Sequence, residues 1–210
     1  MKYKVMIVED QTMPRELFEL RVQSSEHFEV ALSIDNAALT DVYCLRFPVD
    51  LILMDVVTRG GESGLDAAER IKRAFPQIKI IIVTSMPECS YLSRAREIGV
   101  ESFWYKEEQR ESLLDVMERT MAGESVYPDA TPEMQLGLAS SYKFTDRELE
   151  VLREMTGGDT NQEIAERLHM SVATVKTHIL NMLEKTGFRN RTELAVRARE
   201  SGLVILNRKN

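Results

Sequence analysis

Residues 48–57 read PVDLILMDVV and place one carboxylate, Asp55, directly after an unbroken apolar run from Leu51 to Met54. Such a run is typical of a strand that is buried on both faces of a parallel sheet. Because a buried carboxylate without a partner is costly, Asp55 is expected at the end of its strand, beside groups that balance its charge. The polar, glycine-containing stretch that follows predicts that the chain leaves the sheet there.

The same pattern repeats on both sides of this strand. Five apolar, strand-like stretches alternate with segments of helical spacing between residues 3 and 122. The strand-like stretches are YKVMIVED, FEVALSI, DLILMD, KIIIVTS and ESFWY. Strict alternation of strands and helices predicts a parallel sheet with helices on both faces.

The second part of the chain follows a different pattern. Residues 123–142 contain two prolines, small polar residues and little periodicity, which predicts a linker. Residues 143–210 contain four helical segments without strands between them. The predicted organisation is therefore an α/β domain at 1–122, a linker at 123–142 and an all-α four-helix domain at 143–210.

Composition narrows the class of protein. The net charge is −7, but the last part of the chain is basic, with 8 Lys and Arg against 3 Asp and Glu from Ser171 onward, which suggests an anionic partner for this part. No apolar run approaches the roughly 20 residues of a membrane helix, and the N-terminus lacks the apolar region of a signal peptide. Isolated Cys44 and Cys89 form no metal-binding spacing, so we expect a reduced, cytoplasmic protein without membrane association.

Chemically active side chains fall at the ends of the predicted strands. They are Glu9 and Asp10 after strand one, Asp55 after strand three, Thr84 at the end of strand four and Lys106 after strand five. Ligands of open parallel sheets bind at this edge. Carboxylates at this density require a hard cation, and Mg²⁺ prefers carboxylates, water and phosphate oxygens. The set suits a phosphoryl group on Asp55, with Thr84 and Lys106 binding its oxygens.

These residues resemble the receiver domain of two-component response regulators. The resemblance rests on VED at 8–10, LILMD ending at 55, IIIVTS ending at 85 and FWYK ending at 106, and it covers residues 3–122. The separations of 29 residues from Asp55 to Thr84 and 22 from Thr84 to Lys106 also fit. The resemblance implies a flavodoxin-like, doubly wound, five-stranded parallel sheet.

The resemblance also implies a role for each residue. Asp55 would be the phosphoacceptor, Asp10 and Asp55 would bind Mg²⁺ directly, Glu9 through water, and Val57 by its backbone carbonyl. Thr84 and Lys106 would sense the phosphate, and Phe103 would be an aromatic switch. The loop VVTRGGESGLD departs from the family: it lacks the usual proline and is one residue longer.

Residues 161–186 carry the pattern of a helix-turn-helix. A helix from Asn161 is followed by a turn at 169–171, and Ser171 is a suitable N-cap for the next helix. Ala165 and Val175 fit the close crossing of the two helices. The exposed face of the second helix is polar and basic, as suits a major groove, and comprises Thr174, Lys176, Thr177, Leu180, Asn181 and Lys185.

With its flanking helices, this block resembles a LuxR-type DNA-binding domain over residues 141–206. A receiver followed by this module is similar to the NarL/FixJ class of response regulators. The resemblance implies base or backbone contacts by Lys176, Thr177, Leu180 and Asn181, and a dimer contact by the last helix. Two interpretations of Leu180 stay open: contact with a thymine methyl, or a tolerated surface leucine. His169, where glycine is common, is expected to carry a positive φ.

The resemblance implies a transcription regulator rather than an enzyme. Its expected partners are a sensor histidine kinase that phosphorylates Asp55, double-stranded DNA, and a second copy of the chain after phosphorylation. A Mg²⁺-dependent phosphatase of the haloacid-dehalogenase type is the enzymatic alternative, but Val57 stands where that class needs a general acid. A regulator switched by a partner protein, or one that is always dimeric, is the second alternative.

Overall fold

The computed structural model describes residues 2–60, 62–85, 90–106 and 112–204. They form two compact units: unit 1 contains the described residues up to Ser85 together with Tyr91–Ala130, and unit 2 contains Ser90 and the described residues from Thr131 onward. Cys89 and the end of the second predicted domain, 205–210, lie outside the described residues. Cys44 is a free, half-buried thiol, and burial raises its pKa to about 11.

Unit 1 is built on a five-stranded sheet in the order β2-β1-β3-β4-β5, and its strand pairs are parallel. The strands are β1 (Tyr3–Val8), β2 (Phe28–Ile34), β3 (Leu51–Met54), β4 (Lys79–Thr84) and β5 (Ser102–Tyr105). This is the flavodoxin-like order, in which the chain changes direction across the sheet between β1 and β3. The predicted doubly wound fold is confirmed.

Helices cover both faces of this sheet. They are α1 (Thr12–Gln23), α2 (Thr40–Cys44), α3 (Gly64–Ala74), α4 (Ser90–Ile98) and α5 (Leu113–Met121). One set of alternate strand residues, including Val5, Leu53 and Ile81, packs in a core with Phe18 of α1 and Met117 of α5. The other alternate set is equally buried, since the members Met6, Ile52, Ile80 and Ile82 have no exposed surface. Burial of both sets explains why these strands read as unbroken apolar runs.

Helix α2 is shorter than the sequence predicts. The helical pattern extends over residues 36–47, but the structure forms a 3-10 turn at Ala37–Leu39 before the five residues of α2. The Asn36 side chain accepts a hydrogen bond from the Ala38 N–H, and the Thr40 hydroxyl donates to the Ala37 carbonyl. These local hydrogen bonds compete with a regular helix at this point.

The stretch predicted as a linker, 123–142, is divided between the two units. In unit 1, the Val126 carbonyl accepts from the Phe103 N–H at 2.8 Å, and the Val126 N–H donates to the Ser102 hydroxyl at 3.1 Å. The Tyr127 hydroxyl donates to the Val100 carbonyl at 2.7 Å. The chain after α5 therefore adds hydrogen bonds to the open edge of β5.

Unit 2 begins with a short antiparallel hairpin, β6 (Gln135–Leu136) and β7 (Ala139–Ser140). Sequence reasoning missed this hairpin because each strand has only two residues. Its turn requires Gly137, which has a φ of 62° and lies so close to the Thr186 carbonyl that a Cβ would come within 2.2 Å of it. Leu136 and Ala139 join the core of unit 2.

Four helices complete unit 2: α6 (Asp146–Thr156), α7 (Asn161–Arg167), α8 (Val172–Thr186) and α9 (Arg191–Ser201). Thr145 and Thr160 form capping boxes at the starts of α6 and α7, and Ser171 caps α8. Gly187 ends α8 in the left-handed conformation that glycine adopts most readily. Among the described residues, no helix combines the length and apolar character needed to cross a membrane.

Candidate functional site

Three carboxylates meet at the carboxyl edge of the sheet in unit 1. Carboxylate oxygens of Glu9, Asp10 and Asp55 lie within 4.8 Å of one another. β1 and β3 pair side by side, and the Asp55 N–H donates to the Val8 carbonyl at 2.9 Å. This pairing holds the carboxyl ends of β1 and β3 side by side. Glu9 is fully buried and Asp55 is 4% exposed.

Lys106 brings the positive charge of this cluster. Its ammonium donates to Asp55 Oδ2 at 2.7 Å and also to Glu9 Oε2. The position of the lysine follows from β5, because the Lys106 N–H donates to the Thr84 carbonyl at 2.9 Å and continues the pairing of β4 with β5. One cation thus contacts the ends of β1 and β3 while its backbone is anchored to β4.

The electrostatics of the cluster follow from burial and proximity. Burial raises the pKa of Asp55 to about 6, against the opposing charge of Lys106 and with a further upward contribution from Glu9. Burial alone would lower the pKa of the Lys106 ammonium, but the Asp55 and Glu9 carboxylates outweigh burial and raise it. The lysine therefore stays charged, and a further cation at the cluster would lower the cost of ionising Asp55.

The cluster fits a hard divalent cation. Its available donors are carboxylate oxygens, which are the protein ligands that Mg²⁺ prefers. Glu9 also accepts from the Gln11 N–H at 3.0 Å, which orients its carboxylate. The Val57 N–H lies 3.5 Å from Asp55 Oδ1. The residue predicted to bind Mg²⁺ through its carbonyl therefore lies beside the Asp55 carboxylate.

Thr84 and Phe103 occupy buried positions on the strands beside this cluster. Thr84 ends β4 and is fully buried, paired in register with Tyr105. Phe103 is 1% exposed, and its ring centroid lies 5.0 Å from that of Tyr105 and 6.3 Å from that of Tyr127. The structure therefore places Phe103 inside the molecule, under an aromatic residue from the segment that leads to unit 2.

Sequence reasoning missed the contribution of Gly64. A Cβ at this position would lie 1.9 Å from the backbone carbonyl oxygen of Asp55. The Gly64 N–H donates to the Val56 carbonyl at 2.8 Å, so the start of α3 lies directly against the segment that holds Asp55. The glycine after ES in the loop was the available signal, but the close approach depends on tertiary structure.

The helix-turn-helix of unit 2 forms as predicted. Ala165 of α7 and Val175 of α8 are both buried in the same core, as expected for residues near the crossing of the two helices. The turn contains His169 with a φ of 53°, so the predicted positive φ is confirmed. The Ser171 hydroxyl accepts from the Thr174 N–H at 3.0 Å and starts α8.

Most of the predicted DNA-contacting side chains lie on one exposed face of α8. They are Thr174, Lys176, Thr177, Leu180 and Asn181. Val175, Ile179 and Met182 alternate with them at helical spacing and are buried in the core. Leu180 is 60% exposed in the midst of the polar residues.

Lys185 differs from the other members of that set. Its ammonium contacts the two carboxylate oxygens of Glu148 at 2.6 and 2.8 Å and the Lys143 carbonyl at 2.8 Å. Glu148 is 2% exposed and is also the capping-box residue of α6. Burial alone would raise the pKa of Glu148, but hydrogen bonds from Lys185 and Thr145 hold it below its usual range. Lys185 therefore has an internal partner that sequence spacing did not indicate.

Comparison with known families agrees with this geometry. The family model described as the response regulator receiver domain matches residues 5–118, and the one described as bacterial regulatory proteins of the luxR family matches residues 142–198. Response regulator protein VraR of Staphylococcus epidermidis is 33% identical over 211 residues, covering 97% of this chain and 100% of that protein. The chain is a response regulator.

Other relatives of this response regulator extend the same result. VraR of Staphylococcus aureus is 32% identical over 209 residues, covering 97% of the regulator and 100% of the relative. A solved structure of the response regulator RcsB in complex with DNA is 19% identical and has a TM-score of 0.63, covering 95% of this chain and 98% of that one. At this identity the structural likeness shows the fold alone, and it confirms the receiver and helical units.

Proposed function

We propose that this response regulator is switched by phosphorylation of Asp55 by a sensor histidine kinase and controls transcription by binding double-stranded DNA through α8. The observation that carries the proposal is the geometry around Asp55. A buried carboxylate at the end of a parallel strand contacts the Lys106 ammonium at 2.7 Å and lies within 4.8 Å of two further carboxylates. An internal ion pair of purely structural purpose would not need two additional acids.

The chemical step is transfer of a phosphoryl group to the Asp55 carboxylate. A carboxylate oxygen forms a bond to phosphorus while the bond from phosphorus to the histidine nitrogen of the kinase breaks, and the nitrogen keeps the electron pair. Lys106 is placed to bind an oxygen of the transferred group, because its ammonium already contacts Asp55 Oδ2. The product is a mixed anhydride on Asp55.

Mg²⁺ is the proposed cofactor. Asp10 and Asp55 would bind it directly, Glu9 through water and Val57 through its backbone carbonyl. When bound, it supplies charge neutralisation for the phosphoryl oxygens. The all-oxygen donor set of the three carboxylates supports this assignment.

Thr84 and Phe103 are the proposed sensing residues. Thr84 ends β4, and its carbonyl accepts the hydrogen bond from the Lys106 N–H. A hydrogen bond from the Thr84 hydroxyl to the phosphoryl group would therefore shift the end of β4 and the neighbouring end of β5. The Phe103 ring on β5 packs against Tyr105 and Tyr127, so a movement of β5 would change the position of these aromatic side chains of unit 1. Both assignments rest on the family pattern together with these positions.

Thr174, Lys176, Thr177, Leu180 and Asn181 are proposed to contact DNA in the major groove, with Lys185 at the margin. The exposed face of α8 and the ordered turn before it support this interface. Because Lys185 is paired with Glu148, we expect its contribution to be the smallest. A phosphorylated homodimer would read two half-sites about one helical turn apart. Kinase and DNA partners together imply a cytoplasmic protein that regulates and does not turn over a substrate.

Mass spectrometry of the intact protein tests the phosphoacceptor directly. Wild type is incubated with Mg²⁺ and a small-molecule phosphodonor such as acetyl phosphate, beside Asp55→Asn and Asp50→Asn. Wild type and Asp50→Asn, which changes an acid at the opposite end of β3, should each gain one phosphoryl group. Asp55→Asn should gain none. Equal labelling of all three proteins would remove Asp55 from its proposed role.

A further inference from the structure

The loop after Asp55 lacks the proline that would stiffen it, yet it is held by a neighbouring loop. Gly60 has a φ of 90°, in the left-handed region that glycine adopts most readily. One bond that holds the loop comes from Thr58, which is 7% exposed. Its hydroxyl oxygen accepts from the Ala37 N–H at 3.0 Å, 21 residues away in the chain.

Two further contacts join the same pair of loops. The Arg59 N–H donates to the Asp35 carbonyl at 3.2 Å, and the Arg59 guanidinium lies 3.4 Å from the Asp35 carboxylate. Gly60 packs so closely on Asn36 that a Cβ would come within 2.6 Å of its side-chain nitrogen. The segment Asp35–Ala37 thus braces three consecutive residues of the loop.

Of the side-chain contacts, the Thr58 hydrogen bond is the one that burial strengthens. The Arg59 side chain is 68% exposed, so solvent and salt screen its ion pair with Asp35. The Thr58 hydroxyl and the Ala37 N–H are both buried, and loss of one leaves the other without a partner. Thr58 directly follows Val57, so this bond restrains the peptide group that contains the Val57 carbonyl.

We infer that Thr58, through its bond to Ala37, is a positioning residue for the metal site. The bond holds the Val57 carbonyl in place to bind Mg²⁺ beside Asp55. This inference rests on the proposed metal site. Groups that orient metal ligands change metal affinity without touching the metal, which gives the inference a measurable consequence.

Isothermal titration calorimetry with Mg²⁺ tests the inference on the full chain. Thr58→Val keeps the shape of the side chain but removes the hydroxyl, and Thr58→Ser keeps the hydroxyl. We expect Thr58→Val to weaken Mg²⁺ binding roughly tenfold and Thr58→Ser to stay within about twofold of wild type. Thr58→Ala, which leaves room for water at the Ala37 N–H, should show the same loss as Thr58→Val and guards against a folding defect.

Thr120→Val is the matched control. Thr120 is a fully buried threonine of unit 1 whose hydroxyl bonds to Val116 and Ser102, on α5 and β5. Thr120→Val should be less stable than wild type in urea titration and should bind Mg²⁺ with wild-type affinity. Wild-type affinity in folded Thr58→Val would overturn the inference and leave the metal site intact. Absence of Mg²⁺ binding in wild type itself would overturn both the metal site and the role of Thr58.

Discussion

The Lys106 ammonium lies 2.7 Å from Asp55 Oδ2 while it also binds Glu9, so one cation contacts two buried carboxylates that follow neighbouring strands. The three residues directly follow β1, β3 and β5. Their charges are mutually dependent, because loss of Lys106 would leave two buried carboxylates facing each other without a cation. The cluster therefore links the stability of unit 1 to its proposed chemistry.

Lys106→Met should destabilise unit 1 when Mg²⁺ is absent. Loss of the cation leaves Asp55 and Glu9 facing each other, and we expect the free energy of unfolding to fall by roughly 2–4 kcal/mol in urea titration. Addition of Mg²⁺ should restore part of this loss, because the metal takes over the charge balance. Lys106→Arg, which keeps the charge, is the control, and equal stability of all three proteins without metal would contradict this account.

The raised pKa of Asp55 predicts a specific pH dependence. Because its pKa is about 6 rather than 3.8, the folded protein retains a proton between these values that the unfolded chain has released. The contribution of Asp55 to stability therefore falls as the pH rises from about 4 to 6. In metal-free buffer, Asp55→Asn should gain stability relative to wild type over this range, by at most about 3 kcal/mol. A constant difference between the two proteins would show that the pKa of Asp55 is not raised.

Two lysines of α8 should behave differently when changed to methionine. Lys185→Met leaves Glu148 buried without its partner, and we expect a loss of about 2–3 kcal/mol in the stability of unit 2, less than for a fully buried pair because Lys185 is partly exposed. The folded-state pKa of Glu148 is lower than its ordinary value of 4.5, so its ionised form stabilises the fold fully above pH 4.5 and progressively less below it. The stability difference between Lys185→Met and wild type should therefore shrink as the pH falls below 4.5.

Lys176→Met provides the matched comparison on the exposed face. It should leave thermal stability unchanged, weaken DNA binding, and reduce the salt dependence of binding by about one counterion. Fluorescence anisotropy at several salt concentrations measures the binding. Loss of DNA affinity in a fully stable Lys185→Met protein, without loss in Lys176→Met, would reverse the assignment of these two residues.

Leu180 predicts a preference for thymine at one base pair. A 60% exposed leucine among polar residues of a recognition helix can read the C5-methyl group. Selection from a random DNA library gives the preferred site, and thymine is then replaced by uracil, which lacks only that methyl. Wild type should lose affinity at one position by about 1 kcal/mol, and Leu180→Ala should lose that sensitivity. If no uracil substitution affects wild type, Leu180 is only a surface leucine.

The sheet was predictable from sequence because its signal is local. Apolar runs such as Leu51–Met54 are buried on both faces, and their ends mark the positions of Asp55, Thr84 and Lys106. Parallel strands bring their carboxyl ends to the same edge of the sheet for any conformation of the loops. The cluster could therefore be predicted without knowledge of the tertiary contacts. Ser171 was predictable as the N-cap of α8 in the same local way.

Features that depend on distant partners were not predictable. The Glu148–Lys185 pair joins residues 37 apart, and the Thr58–Ala37 bond joins residues 21 apart. The hairpin at β6 and β7 rests on two-residue strands and on the close approach of Gly137 to Thr186. Each depends on tertiary packing that no periodicity in the sequence records.

Light scattering with and without Mg²⁺ and beryllofluoride, a phosphoryl mimic, tests the central claim most directly. Wild type and Asp55→Asn are measured side by side, with DNA binding followed on the same samples. We expect wild type to shift from monomer to dimer and to bind DNA more tightly on addition of the mimic, while Asp55→Asn does neither. Identical masses and DNA affinities for wild type with and without the mimic would contradict control of this regulator through Asp55.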